Sequence, residues 1–445
     1  MLNNSIKFVR NIPLPTLSLF NFSFKIPYKW AVWGIAAVFY LYEYLLRVSP
    51  CIMADELMRE FNVDTAALSL ISSYYYYTYV LFQIPCGLIV DWLGPRKVIT
   101  LSAALCATGS FVFSQTDSIF VAQVARFIIG AGSACVFLSC AKIITDWFPA
   151  HKFGFMMAIT TAVGSLGSSL GGVYLASSLQ TSGWRNSILI TALIGLIITL
   201  ASWFIIRDKK NTVKEPSHKT QITFFDTLKI VITNSQNWLM GLCGCFMYLP
   251  ISVFAELWSI PYLKQTYSIS NTESSFANTL FFIGLAIGAP FAACLASKLN
   301  NYVRVISWSS LLSLCIFLVA IYKPNMPLNL TFLLLFLFGV CCSGRILSFA
   351  FIKDLNPTYA NATAIGFINS IIMSSGIIFQ PLSGIILEST KYEVISTDGN
   401  TLSYNYQISF IIIPVGLLLS WILLKVIARK KQAIHHGSAP YVEVK

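Results

Sequence analysis

About twelve continuous apolar runs divide this chain, close to 30–50, 65–90, 98–114, 118–145, 154–176, 186–206, 238–260, 275–297, 302–322, 328–350, 359–388 and 406–428. A helix needs about 20 apolar residues to cross a hydrocarbon core of ~30 Å, and most of these runs are that long. Lipid offers the backbone no hydrogen bonds, so a spanning segment is a helix or a strand of a closed barrel; continuous hydrophobicity selects the helix. With 56% hydrophobic and 11% charged residues, the chain has too few polar side chains to cover a water-soluble globule. The fold class expected is an all-α membrane protein with about twelve transmembrane helices.

The runs form two copies of one pattern. Asp146-Trp147-Phe148-Pro149 closes the fourth run and Asp354-Leu355-Asn356-Pro357 closes the tenth, 208 residues later, and a helix rich in small residues follows each. The same offset takes Trp30, at the start of the first run, to Trp238, at the start of the seventh. Two pseudo-symmetric six-helix bundles are expected, 30–206 and 237–428. A basic linker at 207–236, carrying Glu215-Pro216-Ser217, joins them, and tails 1–29 and 429–445 flank them.

Lys and Arg accumulate on the cytoplasmic side of a membrane. Arg96, Lys97, Lys152, Arg207, Lys209, Lys210, Lys298, Arg304, Lys353 and Arg429-Lys430-Lys431 all fall on one side of the alternating pattern, so both termini are expected to be cytoplasmic. The net charge of +12 then reads as topology and contact with anionic headgroups, and needs no nucleic-acid partner. Pro13, Pro15 and Pro27, with no compact apolar core before a cleavage site, argue against a signal peptide. Short loops favour a bacterial inner membrane, although an organellar one fits too.

Between the second and third runs lies Gly87-Leu88-Ile89-Val90-Asp91-Trp92-Leu93-Gly94-Pro95-Arg96-Lys97. It resembles the signature loop of the major facilitator superfamily, Gly-x-x-x-Asp-x-x-Gly-x-Arg-Arg/Lys. Gly87 and Gly94 permit a tight helix-end turn, and Asp91 can hold Arg96 or a neighbouring helix end as a breakable latch that Lys97 flanks. Arg126-x-x-x-Gly130-x-Gly132-x-Ala134 is similar to that superfamily's fourth-helix motif, in which glycines admit a close neighbour. Trp147-Phe148-Pro149, Gly183-Trp184-Arg185 and Gln380-Pro381-Leu382-x-Gly384 extend the resemblance over about 30–430. The resemblance implies two halves around a midplane site and a solute carried by alternating access.

Two departures bear on subtype. The second-half counterpart of the signature loop, Pro290 through Arg304, lacks an aspartate. The fifth run has Gly164, Gly167, Gly171 and Gly172 but no Gly-Pro pair, unlike the superfamily's drug/proton antiporters. The closer likeness is to organic-anion, sugar-phosphate and peptide or amino-acid carriers.

An ionisable residue at mid-membrane costs at least about 2.5–3.5 kcal/mol on insertion scales, so those that occur mark function or a partner. Glu43 and Arg47 lie one turn apart in the first run; they read as a proton-coupling pair or as a static ion pair. Arg126 reads as a grip on a carboxylate or phosphate, or as a structural partner of Glu43. Lys142 and Arg345 either reach inner headgroups or face a cavity. Glu256 reads as a cap at the outer end of a broken seventh helix.

Four consecutive tyrosines, Tyr74 to Tyr77, cover every face of a helix, and Tyr75 shares a face with Tyr79. Tyr75, Tyr79, Gln83, Arg345 and Gln380 join Arg126 as expected solute contacts. The eleven cysteines read as small buried side chains, with no disulfide or metal site expected, and the four histidines fall in loops or tails. No Walker-type loop points to ATP, and no cofactor or catalytic residue is expected. The function expected is a proton-coupled symporter of a small carboxylate- or phosphate-bearing solute, acting as a monomer. A membrane solute sensor, a drug efflux antiporter and a lipid-modifying enzyme are the alternatives.

Overall fold

Local side-chain chemistry marks the start of several helices. The computed structural model describes residues 27–149, 152–208, 224–323, 326–357, 360–390 and 401–435, and no strand occurs among them. The long helices are α1 (Tyr28–Ile52), α2 (Thr65–Leu93), α3 (Pro95–Gln115), and α4, built from Ile119–Ala134 and Val136–Trp147. The stretch Phe153–Ile205 supplies α5 (153–182) and α6 (184–205). There follow α7 (Ser235–Tyr267), α8 (Asn271–Leu299), α9 (Tyr302–Tyr322), α10 (Leu328–Leu355), α11 (Asn361–Thr390) and α12 (Ile412–His435).

Asp64 opens α2 by accepting the Ala67 N–H at 2.7 Å, and Asn301 opens α9 by accepting that of Arg304 at 3.0 Å. Ser270 and Glu273 form a reciprocal capping box at the start of α8. Gly94, at φ 81°, turns the chain from α2 into α3, as the sequence suggested. Gly87, by contrast, lies inside α2 and takes no part in that turn.

The stretch Phe153–Ile205 has 53 residues, on the order of 80 Å of helix, far longer than one crossing. Gly183, at φ 75° and ψ 166°, divides it. The loop expected between 176 and 186 is therefore mostly helix, reduced to a turn at this one residue. Ten stretches among the described residues, with Phe155–Ile205 counted as one, are long and apolar enough to cross a bilayer, and the chain is a multi-pass integral membrane protein.

The sequence repeat has physical counterparts. Helix α4 is interrupted at Cys135 and α10 by a 3-10 turn starting at Ser343, 208 residues on. Lys29 lies over the Phe148 ring at 5.7 Å; their offset equivalents, Asn237 and Asn356, exchange side-chain hydrogen bonds of 3.1 and 2.9 Å. A Cβ on Gly130 of α4 would collide with the Tyr75 carbonyl of α2, and one on Gly339 of α10 with the Phe281 carbonyl of α8. Small residues bring these backbones together where lipid gives no hydrophobic drive for association.

Helix α2 lies along α11, and α5 along α8, where Ser169 and Thr279 each donate a hydroxyl to the other's carbonyl at 3.4 and 3.2 Å. Near the start of α2, Thr65 donates its hydroxyl to Glu388 of α11 at 2.6 Å and its N–H at 3.2 Å. Lys264 pairs with Asp55 at the same end of the bundle. At the opposite end the contacts are aromatic, with Phe137 against Phe349 at 5.9 Å and Lys353 over Phe153 at 5.4 Å. Most of the expected tails and linker, 1–26, 209–223 and 436–445, lie outside the described residues, as do His151, His218 and His436. The end of the linker forms a short helix, Phe224–Thr233.

Candidate functional site

The one-turn spacing of Glu43 and Arg47 on α1 turns both side chains toward α2 and α7, away from lipid; they are 0% and 2% exposed. The two pair directly, and Arg47 Nε also donates to the Tyr75 hydroxyl at 3.2 Å. Tyr75 in turn donates its hydroxyl to Glu43. Arg47 Nη1 reaches across to the Tyr248 hydroxyl of α7 at 3.0 Å. The guanidinium is enclosed by the rings of Tyr44, Tyr75 and Tyr79, at 4.5, 5.5 and 5.3 Å from their centroids. Tyr75 and Tyr79 stack, as their four-residue spacing predicts.

Glu256 does not cap a helix end. It is fully buried within a π-helical segment, Pro250–Trp258, and accepts hydrogen bonds from the Tyr76 hydroxyl of α2 and, at 3.0 Å, from that of Tyr248. Its carboxylate lies 3.9 Å from Arg47 Nη1. The wider turn of the π segment sets this register, which an ordinary helical wheel of α7 does not show. The sequence reading took Glu256 for a cap, named Tyr76 only as one of four consecutive tyrosines, and did not single out Tyr248. The available signal was the intramembrane carboxylate itself, two turns beyond a tyrosine.

Arg126, 1% exposed, comes from the glycine-rich first segment of α4. Its Nη1 donates to the Leu46 carbonyl at 2.8 Å, and its guanidinium lies 5.1 Å from the Tyr75 ring centroid. Nε and Nη2, the edge that can form two parallel hydrogen bonds to one anion, have no protein partner. Arg345, in the 3-10 turn of α10, stacks on Tyr248 from the other side at 4.8 Å, with Nε unpartnered. Thus Arg126, Glu43, Arg47, Tyr75, Tyr79 and Arg345 converge on one mid-bundle cluster.

The amides sit at its margins. Gln380 donates to the Ser252 carbonyl at 2.8 Å and leaves its own oxygen unpaired; both polar atoms of Gln83 are buried without a protein partner. Lys142 stays outside the cluster, pairing with Asp146 at 3.6 Å toward the end of α4.

In the signature loop, Arg96 is held by the end of α6. Arg96 Nε donates to the Trp203 carbonyl at 3.0 Å, the guanidinium stacks on the Trp203 ring at 4.3 Å, and Arg96 N–H donates to Asp208 at 2.9 Å. Lys97 is exposed, and the side chain of Asp91 lies outside the described residues.

A second correction concerns the cysteines: Cys86 of α2 and Cys135, at the break in α4, form a disulfide across 49 residues of sequence. That spacing carries no motif, which is why the pairing was not anticipated. Among the described residues no group of His, Cys, Asp and Glu is arranged to hold a metal.

Comparison with known proteins places this geometry. A model of the Major Facilitator Superfamily matches residues 32–260 and again 240–440. The probable sulfoacetate transporter of Cupriavidus necator is 25% identical over 184 residues, 41% of this chain and 43% of that protein. The probable hexose phosphate transport protein of Chlamydia trachomatis is 21% identical over 287 residues, 59% of this chain and 63% of its own. The matched part of the chain thus spans less than two thirds of either relative. An inward-facing, occupied bacterial homologue of the human lysosomal transporter Spinster superimposes with a TM-score of 0.74 at 14% identity, covering 91% of this chain and 97% of that one, a likeness of fold. With matches that together run nearly from end to end, the chain belongs to the Major Facilitator Superfamily.

Proposed function

We propose that this protein is a secondary active transporter that carries a small organic anion by alternating access. Bundles 30–206 and 237–428, twelve crossings in all with both termini in the cytoplasm, rock about the cluster at mid-membrane. The observation that carries this reading is the buried Arg126 edge, Nε and Nη2, without a protein partner. A guanidinium removed from water is costly unless hydrogen-bonded and paired, and an arriving carboxylate, sulfonate or phosphate supplies both conditions at once. Relatives named for sulfoacetate and hexose phosphate support an anionic solute.

In this reading Arg126 grips the anion. Arg345, Tyr75, Tyr79, Gln83 and Gln380 line its surroundings, and Glu43, Arg47 and Glu256 link the crossing to a proton. Gly94, Arg96, Trp203 and Asp208 hold the α2–α3 turn against the end of α6, and Asp91 belongs to the same loop. The protein works as a monomer in a bacterial inner membrane, and its superfamily points to a carrier rather than an enzyme.

The test is counterflow in proteoliposomes with labelled sulfoacetate, a hexose phosphate and a hexuronate, with and without a pH gradient. Exchange of one of these, accumulated further when the outside is acidic, is the expected result. Binding of one without any flux would replace the carrier with a solute sensor.

A further inference from the structure

We propose that Glu256 is the residue that takes up and releases the coupled proton, while Glu43 stays paired with Arg47 throughout the cycle. This rests on the carrier reading, since it follows from how the cluster divides when the two bundles part.

Glu43, Arg47, Tyr75 and Tyr76 belong to the first bundle; Tyr248, Glu256 and Arg345 belong to the second. The Arg47–Glu43 ion pair and the Tyr75–Glu43 hydrogen bond lie wholly within the first. The Tyr248–Glu256 hydrogen bond, 3.0 Å, lies wholly within the second. Four contacts cross between them: Arg47 to Tyr248 at 3.0 Å, Tyr76 to Tyr248 at 3.5 Å, Tyr76 to Glu256, and Arg47 to Glu256 at 3.9 Å. Separation therefore leaves Glu43 its cation and the hydrogen bonds from Arg47 and Tyr75. Glu256 keeps one tyrosine and loses both Arg47 and Tyr76.

Among the described residues Arg47 is the one cation within 4.0 Å of the Glu256 carboxylate. Arg345, the second bundle's guanidinium in the cluster, is stacked on the Tyr248 ring, and Arg126 is directed to the Leu46 carbonyl and the Tyr75 ring. From α8, Asn278 donates to the Ala255 carbonyl at 2.9 Å; from α11, Gln380 and Ser375 bond to Ser252. Phe410 packs on Phe254, Cys51 contacts Ser259, and Tyr44 and Tyr79 lie against Arg47. Asp55, Lys264 and Glu388 are at the far helix ends. A carboxylate left in a low-dielectric site without a cation is neutralised by protonation. The proton comes from water on the open side and binds a Glu256 oxygen; it returns to water as Arg47 and Tyr76 close on the carboxylate. An anion held beside Arg126 competes for Arg47 and keeps the proton on Glu256 during the loaded crossing.

The experiment needs no solute. Spin labels at the exposed positions Lys97 and Lys298 report the separation of the bundles in nanodiscs across pH, with the exposed Cys294 and Cys315 replaced. The wild-type protein should open as pH falls, and Glu256→Gln should lose this response. Glu43→Gln, which leaves the shared Arg47 to Glu256, should keep a pH response with its midpoint moved to lower pH, and Tyr76→Phe should open at a pH higher by roughly one unit, the loss of one hydrogen bond to a charged group. A wild-type response in Glu256→Gln, loss of the response in Glu43→Gln, or an unmoved midpoint in Tyr76→Phe would each overturn the assignment. A wild-type separation that answers to added sulfoacetate or hexose phosphate but not to pH overturns it too, and leaves the carrier reading intact. A separation that answers to neither removes the carrier reading itself.

Discussion

Arg126 donates one guanidinium nitrogen to the Leu46 carbonyl at 2.8 Å and turns its other edge, Nε and Nη2, to no protein group. The first contact, to α1, fixes the direction in which the second edge points. Arg126→Lys keeps the charge but loses the two-point edge. Solute binding, read as thermal stabilisation of purified protein by a transported anion, should weaken by about tenfold or more, the equivalent of one hydrogen bond to a charged group. Unchanged affinity in the lysine variant would remove Arg126 from the binding site.

Gly130 and Gly339 mark the same close helix approach in the two sequence repeats, α4 on α2 and α10 on α8. Alanine at either position must push backbones apart, and overpacking of this kind costs about 1–3 kcal/mol. Both variants should melt at lower temperature in detergent. Gly87→Ala, where an added Cβ meets nothing within 4 Å, should not.

Asp208 accepts the Arg96 N–H at the start of α3, where helix N–H groups otherwise lack partners. Asp208→Ala removes a cap, a loss of about 1 kcal/mol. Because the neighbouring Arg96 stays on the Trp203 carbonyl and ring, the loss should be partial. Combining it with Trp203→Leu should destabilise the turn by more than the sum of the single changes, measured by thermal melting of the four proteins in the cycle.

The Asp55–Lys264 pair and the Thr65–Glu388 hydrogen bonds tie one end of the bundle, whereas the other end is closed by aromatic contacts. Partly exposed ion pairs are worth at most about 1 kcal/mol and are screened by salt. Lys264→Ala, or high salt with the wild-type protein, should raise the reactivity of a cysteine placed at Ser259 toward a water-soluble thiol reagent. Phe349→Ala should raise reactivity from the opposite face and be insensitive to salt. Equal salt sensitivity at both ends would contradict this asymmetry.

Much of the fold was legible because lipid leaves few options. Continuous apolar runs became helices with starts at or near those expected, Thr65 and Tyr302 among them, and the 208-residue repeat reappeared as paired contacts at Phe148 and Asn356. The site was half legible. An intramembrane Glu43–Arg47 pair announces itself by its spacing and its cost in hydrocarbon, and both residues are indeed buried together. Glu256 was misread because Pro261 follows five residues later, which suggested a broken end; the π segment instead carries the carboxylate inward. The Cys86–Cys135 pair and the hold of Trp203 and Asp208 on Arg96 depend on residues 49 or more positions apart, and nothing local encodes them.

By itself, then, the sequence determined the solvent, the helices, the duplication and which side chains could not face lipid, because each of these follows from the transfer of apolar and charged groups between water and hydrocarbon. Only the tertiary structure decided which charges meet. Whether Arg47 serves Glu43 alone or also faces Glu256, and which edge of Arg126 is left open, depends on the rotation of α1, α4 and α7 about their axes. Those rotations are fixed by close packing at glycines and by one π-helical segment, features that act across the bundle rather than along the chain.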